Sequence, residues 1–346
     1  MKRVLLIRMS AIGDVAMLIP VVYSAAKHHP DIHFTLITQT FLKPLFIRKP
    51  DNLEVVGFDL KGKERSLLNV LHSLNLLVRE KYDITIDLHD VLRSIIMRIY
   101  LKVRASIPFF VIDKGRKEKR MLTRKKSKVF VPLKSTFERY RETFEKAGIC
   151  FPLDFISVCE SVPPFPSEPY RGFFPKNGVW IGIAPFAKHK GKMYPLDRVE
   201  HLIAALSAAN EYRIFLFGGG EREREKISYW AQRYANVYSM AGNCSLDQEI
   251  LFMRHLDLMI TMDSANMHFA SLVGTPVLSF WGQTHPYAGF YPWNQPFSNA
   301  VQASLDCRPC SVFGNKKCYR GDWACLHMVS EQEFLRRIAA IVKNDK

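Results

Sequence analysis

Cysteines, long apolar runs and acidic side chains are all scarce in this sequence. Seven cysteines in 346 residues exclude the disulfide scaffold of a small secreted domain. The longest apolar stretches, such as residues 16–26, fall well short of the roughly 20 residues that a membrane-spanning helix needs. A strand-like run begins at Val4, so we expect no signal peptide before it. These absences predict a globular protein of the cytoplasm.

Apolar side chains are nevertheless plentiful. Hydrophobic residues make up 48% of the chain and aromatic residues 12%. This composition excludes intrinsic disorder, because so much apolar surface can form a buried core. The length is sufficient for one large domain or two medium ones.

The shortage of acidic side chains leaves a formal net charge of +16. The excess is larger in residues 1–170, with 29 basic and 18 acidic side chains, than in residues 171–346, with 20 and 15. Between Lys114 and Lys128, nine of fifteen residues are basic and only Glu118 is acidic. This pattern predicts an anionic partner for the N-terminal half: nucleic acid, a phosphorylated substrate or an anionic membrane surface. The alternative is a generally basic, soluble surface.

Strand-like and helical segments alternate in both halves, which is typical of βαβ units on parallel sheets. The predicted strands cover residues 4–8, 33–38, 53–58, 82–88, 178–184, 212–217 and 256–262. The predicted helices cover residues 16–27, 67–79, 196–209 and 330–343. Residues 232–237, 246–255, 267–273 and 276–280 extend the alternation in the second half. The last helix begins with a Ser-x-x-Glu capping box, Ser330 and Glu333.

A linker separates the two alternating halves. Residues 161–172 contain four prolines and little periodicity, as expected of a connection between domains. We therefore predict an α/β protein with two Rossmann-like, doubly wound domains, residues 1–165 and 173–346. The last helix is expected to belong to the second domain or to pack back on the first.

The first strand is followed by the turn MSAIGDV at residues 9–15. It lacks the three spaced glycines of a dinucleotide-binding fingerprint. Gly13 permits close approach of a ligand, and Asp14 lies in the first turn of the next helix. The positive helix end favours an ionised carboxylate, so Asp14 is a ready but weak base. The alternative is a structural helix-start aspartate.

Two loops of the second half carry candidate ligand-binding residues. Residues 185–192 include Lys188, Lys192 and two further basic or titratable side chains, which suit a diphosphate. Glu221 follows three glycines and is placed to accept hydrogen bonds from ribose. The alternatives are a solvated basic loop and a plain turn before a charged helix.

A buried strand ends in the sequence LDLMITMDSANMH at residues 256–268. Asp263 and Ser264 fall at the N-cap position of the next helix. The unpaired N–H groups of Ser264, Ala265 and the following residue form an anion site for a phosphate, and His268 adds a donor from the first turn. The alternative is a structural cap alone.

Four cysteines cluster near the C-terminus. Cys307, Cys310, Cys318 and Cys325 are separated by two, seven and six residues. A Cys-x2-Cys pair with two further thiols suggests a structural zinc site in a cytoplasmic protein, although only the first pair matches a zinc knuckle. Disulfides and unligated thiols that pack a loop are the alternatives.

Taken together, these motifs resemble the heptosyltransferases of lipopolysaccharide core synthesis, glycosyltransferase family nine. The resemblance covers nearly the whole chain and is strongest in the SAIGD turn and in residues 240–286. It implies a GT-B enzyme, in which two Rossmann-like domains face a cleft, with the acceptor on the N-terminal side and the nucleotide sugar on the other. The implied reaction is inverting and metal-independent, needs no cofactor, and transfers heptose from ADP-heptose to a lipid-linked core acceptor.

The resemblance also implies roles for individual residues. Asp14 is the general base that deprotonates the acceptor hydroxyl, and Lys192 neutralises the diphosphate as ADP leaves. Glu221 holds the ribose, and Asp263 contacts the donor sugar. The other candidate contacts to the nucleotide sugar are Lys188, Ser264, Ala265 and His268. The candidate contacts to the acceptor are Ser10, Gly13 and Arg93.

This chain departs from the family pattern at two points. Ala265 stands where many members have glycine, which narrows the approach to the sugar. Residues 186–188, Phe-Ala-Lys, lack the small hydroxyl pair that some members place beside the diphosphate. Both departures bear on the choice of donor.

The resemblance gives the basic excess a use. Acceptors of this family carry carboxylates and phosphates on a lipid of the inner membrane, so a cationic surface would attract both. We therefore expect a peripheral protein at the cytoplasmic face of the inner membrane. Nucleic acid is not an expected partner, because no zinc-finger, RNA-recognition or helix-turn-helix signature is present. The alternatives are transfer of another sugar or to another acceptor, and a non-catalytic basic α/β binding protein.

Overall fold

The chain folds into two compact units. The computed structural model describes residues 1–78, 81–160 and 170–344. Unit 1 comprises Met1–Lys114 and Lys134–Val158, and unit 2 comprises Gly115–Leu133 and Cys159–Lys346. The predicted linker lies mainly outside the described residues, which resume at Tyr170. The segment 115–133 differs from the predicted boundaries, because its contacts group it with unit 2 rather than with the first domain.

Unit 1 is a five-stranded parallel sheet with helices. Its strands are β1 (Lys2–Ile7), β2 (Ile32–Gln39), β3 (Leu53–Phe58), β4 (Ile84–Asp87) and β5 (Phe109–Val111), in the spatial order β3-β2-β1-β4-β5. Its helices are α1 (Ile12–His28), α2 (Leu67–Leu77) and α3 (Leu92–Ala105), followed, after α4 (Arg116–Thr123) of unit 2, by α5 (Thr136–Lys146). The serines that precede α2 and α5 cap them by accepting a backbone hydrogen bond.

Unit 2 is a six-stranded parallel sheet. Its strands are β6 (Val179–Ala184), β7 (Tyr212–Leu216), β8 (Val237–Ser239), β9 (Leu258–Met262), β10 (Val277–Trp281) and β11 (Ala300–Gln302), in the order β11-β10-β9-β6-β7-β8. Its other helices are α6 (Leu196–Ala208), α7 (Glu221–Arg233), α8 (Leu246–Met253), α9 (Ala265–Leu272), α10 (Ala324–His327) and α11 (Glu331–Asn344).

Burial explains why the central strands are apolar throughout. Val4 to Ile7 of β1 and all of β6 and β9 are buried, as expected of parallel strands covered on both faces. The buried side of the last helix, which includes Phe334 and Ile338, lies in the core of unit 2. Among the helices that the structure describes, none combines the length and the apolar character needed to cross a membrane.

Each sheet has one point where the strand order reverses. In unit 1 the chain proceeds from β1 outward to β3 and then begins again on the other side with β4; in unit 2 the same happens between β6 and β9. Open α/β sheets bind ligands at the carboxyl ends of the strands at such a reversal. The loops after β1 and β4, and those after β6 and β9, are therefore the places to examine for a site.

Candidate functional site

The turn after β1 presents the carboxylate of Asp14. Asp14 is the third residue of α1, and its Oδ2 accepts a hydrogen bond from the backbone N–H of Ala11 at 3.2 Å. The same oxygen pairs with Nη2 of Arg8 at 2.8 Å. Oδ1 has no partner among the described residues, and the side chain is 26% exposed. One oxygen thus fixes the carboxylate, and the other is available to a ligand.

Arg8 is held more firmly than the aspartate it orients. Its side chain is only 6% exposed, and Nη1 donates to the carbonyl of Leu88 at 2.6 Å. The guanidinium lies over the ring of Tyr140, 5.7 Å from the centroid, and the Tyr140 hydroxyl donates to the main-chain oxygen of Asp14 at 3.1 Å. Burial alone would lower the pKa of Arg8, but the neighbouring Tyr140 and Asp14 outweigh it and raise that pKa. Arg8 is therefore a fixed cation behind Asp14.

A histidine and a serine lie at the same reversal. Nε2 of His89, which follows β4, is 3.2 Å from the hydroxyl oxygen of Ser10. Burial first, and then the nearby cations Arg8 and Lys114, lower the pKa of His89 to about 3, so the imidazole is neutral at physiological pH. Its Nδ1 is buried and has no hydrogen-bond partner in the described chain. Ser10 was predicted from the sequence as a site residue. Its contact with His89 was not predicted.

The other predicted acceptor residues are less engaged. Gly13 lies in the first turn of α1, and Arg93 in the first turn of α3, where it is half-buried. Arg93 has no ion pair with any described residue, whereas Arg98 of the same helix binds Asp87 and Asp90. Arg93 is thus available to a ligand, while Arg98 has a structural role.

In unit 2, a second ion pair joins the loops after β6 and β9. Nζ of Lys192 lies 2.9 Å from Oδ2 of Asp263, with side chains 17% and 6% exposed. Asp263 directly follows β9, and its backbone N–H donates to Phe280 of β10 at 3.1 Å. The structure thus brings together two residues that are 71 positions apart and that the sequence had assigned to one site.

The loop that carries Lys192 depends on close backbone packing at Gly191. The Gly191 N–H donates to the carbonyl of Gly314 at 3.2 Å, and its own carbonyl accepts from the Gln283 N–H at 2.7 Å. A Cβ at this position would lie 2.6 Å from the Gly314 oxygen and 2.1 Å from Oε1 of Gln283. No side chain fits here without movement, so the glycine permits the approach that fixes the position of Lys192.

The first turn of α9 begins beside this ion pair. Ser264 is the N-cap residue, yet its hydroxyl is buried and makes no hydrogen bond with the described residues. Ala265 is the first helical residue, and His268 is buried in the first turn. Because the first N–H groups of a helix lack intrahelical partners, this end offers backbone donors and a spare hydroxyl to an anion.

Glu221 and Lys188 are exposed, so their roles stay predictions. Glu221 is the first residue of α7, after β7, the strand next to β6. The carboxylate that binds the glycine run is that of Glu223, which accepts from the Gly219 N–H at 2.8 Å. In the basic loop, Lys190 lies over the ring of Trp323 at 5.3 Å. Lys188 has no ion pair in the part of the chain that the structure describes.

The four clustered cysteines do not form a metal site in this structure. Among the described residues, no group of three or more His, Cys, Asp or Glu side chains is placed to hold a metal ion. All four are free thiols, and burial together with the neighbouring Cys307 and Cys318 raises the pKa of Cys310. Four thiols suit zinc chemically, and the zinc site stays a prediction.

The sequence and the fold are similar to those of known glycosyltransferases. Residues 71–319 match the sequence profile of glycosyltransferase family 9 (heptosyltransferase). Lipopolysaccharide heptosyltransferase 3 of Escherichia coli is 24% identical over 303 residues, covering 84% of this chain and 85% of the relative. A glycosyl transferase family 9 crystal structure from Veillonella parvula has a TM-score of 0.75 at 17% identity and covers 99% of this chain and 98% of its own. The E. coli heptosyltransferase WaaC with ADP has a TM-score of 0.69 at 18% identity, with 98% and 99% covered.

The two parallel-sheet domains are those of a GT-B glycosyltransferase, and the protein is an enzyme of the glycosyltransferase class. The chain belongs to glycosyltransferase family 9 (heptosyltransferase), whose profile matches well over half of it. The predicted fold class, enzyme class and family are confirmed. The roles of single residues are not tested by these similarities, and stay predictions.

Arg8, Tyr140 and His89 were not among the site residues predicted from the sequence. Arg8 was included in the first strand, although a basic residue at the end of a buried strand is itself a signal that needs a partner. His89 lies in a visible Asp-Leu-His-Asp run, residues 87–90, directly after β4. Tyr140 carried no sequence signal, because only the packing of α5 against α1 brings it to the turn.

Proposed function

We propose that this enzyme transfers heptose from ADP-heptose to an anionic, lipid-linked core acceptor of lipopolysaccharide, with inversion. Family membership supports the sugar and the class of acceptor. The observation that carries the chemistry is the asymmetric carboxylate of Asp14. Its Oδ2 is held by Arg8 and the Ala11 N–H, and its Oδ1 has no partner among the described residues.

Asp14 acts as the general base on the acceptor. The acceptor hydroxyl oxygen attacks the anomeric carbon of heptose, and its proton passes to Oδ1 of Asp14. A weak base suffices if the proton leaves late, when the hydroxyl has become acidic through bonding to carbon. Fixing the carboxylate through Oδ2 keeps Oδ1 in one orientation, which reduces the entropy lost on reaching the reactive geometry. Ser10, Gly13 and Arg93 contact the acceptor around this oxygen.

Lys192 stabilises the leaving group. As the bond between the anomeric carbon and the diphosphate oxygen breaks, the electron pair stays with ADP and negative charge grows on that oxygen. A positioned ammonium and unpaired backbone N–H groups lower the energy of such a charge. Lys192 supplies the ammonium, and the N-terminus of α9, with Ser264, Ala265 and His268, supplies further donors. These groups support a metal-independent departure of ADP.

The other contacts complete the donor site. Asp263 holds Lys192 and reaches the donor sugar, Glu221 accepts from the ribose hydroxyls, and Lys188 adds charge near the diphosphate. We propose that no cofactor takes part. Full activity after dialysis against a chelator would support this, and activity restored only by added metal would contradict it.

The basic run, residues 114–128, binds the anionic acceptor and the cytoplasmic face of the inner membrane through electrostatic attraction. Its helix α4 and the following residues belong to unit 2, where Lys119 lies over Phe290 at 4.2 Å and Lys125 over Tyr319 at 4.8 Å. Other basic side chains of the run are exposed: Arg116, Lys117, Arg120, Arg124 and Lys126. Each cation near an anionic bilayer contributes about 1 kcal/mol to binding. Sedimentation with anionic and neutral vesicles tests this location, and equal binding to both would contradict it.

Release of ADP from ADP-heptose, with a heptose-deficient core lipid as acceptor, tests the proposed function. We expect release that depends on the acceptor and collapses in Asp14→Ala. Asp31→Ala is the matched control, because Asp31 is an exposed carboxylate of the same unit. No release by the wild type despite measurable ADP binding would discard heptose and direct the search to other nucleotide sugars.

A further inference from the structure

Unit 2 contains a cavity whose lining residues have no role in the proposed reaction. Its volume is about 460 Å³, and it lies beyond the end of β11. The lining residues are Lys128, Phe130, His285, Gln302, Ala303, Ser304, Leu305, Asp306 and Arg308. This volume falls in the range of small-molecule sites, roughly 300–1,000 Å³. Most of its polar side chains are hydrogen-bond donors.

Arg308 places a buried positive charge in the wall. It is 4% exposed and donates to the carbonyls of Gly282, Trp281, Thr284 and Ala303. It has no carboxylate partner among the described residues. The acidic groups that act on it are the thiols of Cys307, Cys310 and Cys325. Burial raises the pKa of Cys310 and Cys325, which favours their uncharged form. Carbonyl dipoles satisfy most of its hydrogen atoms, but they do not neutralise its charge. A buried cation without a counter-charge favours an anion nearby.

Lys128 and His285 add donors from two other directions. Nζ of Lys128 donates to the carbonyl of Asp306 at 3.0 Å and keeps two further hydrogens. Nδ1 of His285 accepts from the backbone N–H of Tyr287 at 3.1 Å, so the proton of the neutral ring is on Nε2. That nitrogen has no hydrogen-bond partner in the described chain. Burial and the charges of Arg308 and Lys128 lower the pKa of His285 to about 4.

The remaining walls fit a sugar. The amide of Gln302 accepts from Arg308 through its oxygen, at 3.1 Å, which leaves its NH₂ group as a donor. Ser304 adds an exposed hydroxyl. The ring of Phe130 is 51% exposed and packs edge-on against His285 at 5.0 Å, so it offers an apolar face to a pyranose ring. Asp306 is the single acidic side chain of the lining, and it is exposed.

We propose that this cavity binds an anionic sugar residue through its carboxylate or phosphate. The anion is held by Lys128, the Nε2–H of His285 and the field of Arg308, and the ring rests on Phe130. The same loop also supports Lys192: Arg308 binds the carbonyls of Gly282 and Thr284, and the intervening Gln283 N–H binds Gly191.

The anionic sugar is a residue of the acceptor, an assignment that rests on the proposed function. Anion binding itself does not rest on it. The two parts are therefore tested separately, first by direct binding and then by kinetics, so that failure of one is distinguishable from failure of the other.

Binding is measured by isothermal titration calorimetry of the full chain with saturating ADP, which keeps probes out of the donor site. The probes are glucuronate, glucose 6-phosphate, inorganic phosphate and neutral glucose. We expect the two anionic sugars to bind more tightly than phosphate, and glucose to show no binding. Lys128→Gln and His285→Asn should each weaken binding of the anionic sugars about tenfold, since a charge-assisted hydrogen bond contributes about 1.5 kcal/mol or more.

Lys343→Gln is the matched control, because it removes one charge from the same unit at an exposed position outside the cavity. Its affinities should stay within about twofold of the wild type. Equal loss in Lys343→Gln and Lys128→Gln would overturn the proposal, because the loss would then follow from net charge and not from the cavity. So would unchanged affinity in both cavity variants, equal binding of phosphate and the anionic sugars, or no binding by the wild type.

The kinetic part uses the heptose-deficient core lipid. Lys128→Gln should raise the KM for this acceptor about tenfold and leave the KM for ADP-heptose and kcat within twofold. An unchanged acceptor KM would overturn the assignment to the acceptor. No transfer by the wild type would overturn the proposed function, while the calorimetric result would still decide whether the cavity binds an anionic sugar.

Discussion

The two strand-order reversals each hold a cation–carboxylate pair of about the same length but of opposite burial. In unit 1 the cation Arg8 is 6% exposed and the carboxylate Asp14 is 26% exposed. In unit 2 the carboxylate Asp263 is 6% exposed and the cation Lys192 is 17% exposed. The buried member fixes the other, so unit 1 presents an anion and unit 2 presents a cation. Under the proposed function, the same topology would serve proton removal in unit 1 and charge neutralisation in unit 2.

The largest expected effect is the loss of kcat when Asp14, the more exposed member of the pair in unit 1, is replaced. Asp14→Asn removes the base and keeps the shape, so we expect kcat to fall by roughly 10²–10⁴-fold, with ADP binding retained. Initial rates and calorimetry with ADP measure both. A fall in kcat of less than tenfold would show that Asp14 is not the base. The contrast between an exposed anion in unit 1 and an exposed cation in unit 2 would then have no catalytic meaning.

Removal of the presented cation should affect both rate and stability. Lys192→Ala is expected to lower kcat roughly 10²–10³-fold. It also leaves Asp263 buried and unpaired, which costs about 3 kcal/mol of unfolding free energy. Urea unfolding should show that adding Asp263→Asn recovers part of this loss. If the double variant is no more stable than Lys192→Ala, burial of Asp263 is not the cause.

Removal of the buried cation of unit 1 should have a smaller effect on rate than Asp14→Asn. Arg8→Met leaves only the Ala11 N–H to hold Oδ2 of Asp14, so we expect kcat to fall about 10- to 100-fold because the base is less well positioned. Arg8→Lys should recover only part of the rate, because an ammonium cannot bind Asp14 and the Leu88 carbonyl with a guanidinium's geometry. A change in KM alone, with kcat unchanged, would contradict a positioning role.

The support of the presented cation is tested at Gly191. Gly191→Ala forces the backbone at Gly314 to move, and we expect a loss of about 1–3 kcal/mol with a severalfold rise in the KM for ADP-heptose. Gly219→Ala is the control for stability, since nothing lies within 4 Å of a Cβ there. Similar melting temperatures for the two variants would show that the close approach is not a constraint.

At neutral pH the smallest effect concerns His89, because its contribution to stability changes only at lower pH. Its folded pKa is about 3, whereas an unfolded histidine titrates near 6.5. Between these values the unfolded chain binds the extra proton, so stability falls as pH falls through this window, by at most about 1.4 kcal/mol per pH unit, and is unaffected above it. His89→Gln should lose stability less steeply than the wild type from pH 6.5 to 4, and the exposed His72→Gln should match the wild type. Parallel curves for all three proteins would contradict a buried, neutral His89.

Sequence patterns predicted the apolar elements better than the polar ones. The first three strands were predicted to within a residue or two of β1, β2 and β3, because buried parallel strands are continuous apolar runs. The short strand β5 and the helices α3, α4 and α5 were not predicted. Helices α4 and α5 are mostly polar, and the basic side chains of α3 divide its apolar residues into short runs. The predicted helix at 16–27 began four residues late, since the start of α1 at Ile12 depends on the turn and not on periodicity.

The candidate site divides in the same way. Asp14, Lys192 and Asp263 follow apolar strands and were predicted from the sequence. The structure brings the last two within 2.9 Å, and their roles stay predictions. The partners that arrive from distant elements were not found: Tyr140 from α5, Gln283 beside Gly191, and Lys128 beside His285. Such contacts depend on how the elements pack, which local patterns do not encode. Arg93 is the reverse case, visible in the sequence but without a described partner.

The intervening segment 115–133 limits how this protein can be recombined. The chain passes between units 1 and 2 at three places, after Lys114, after Leu133 and after Val158. A chimera of two relatives joined at the proline-rich stretch would therefore pair one parent's Lys128 and Phe130 with the other parent's His285 and Arg308. When one unit is exchanged between relatives, by evolution or by design, the contacts within unit 2 are preserved only if residues 115–133 and the C-terminal part of unit 2 come from the same parent.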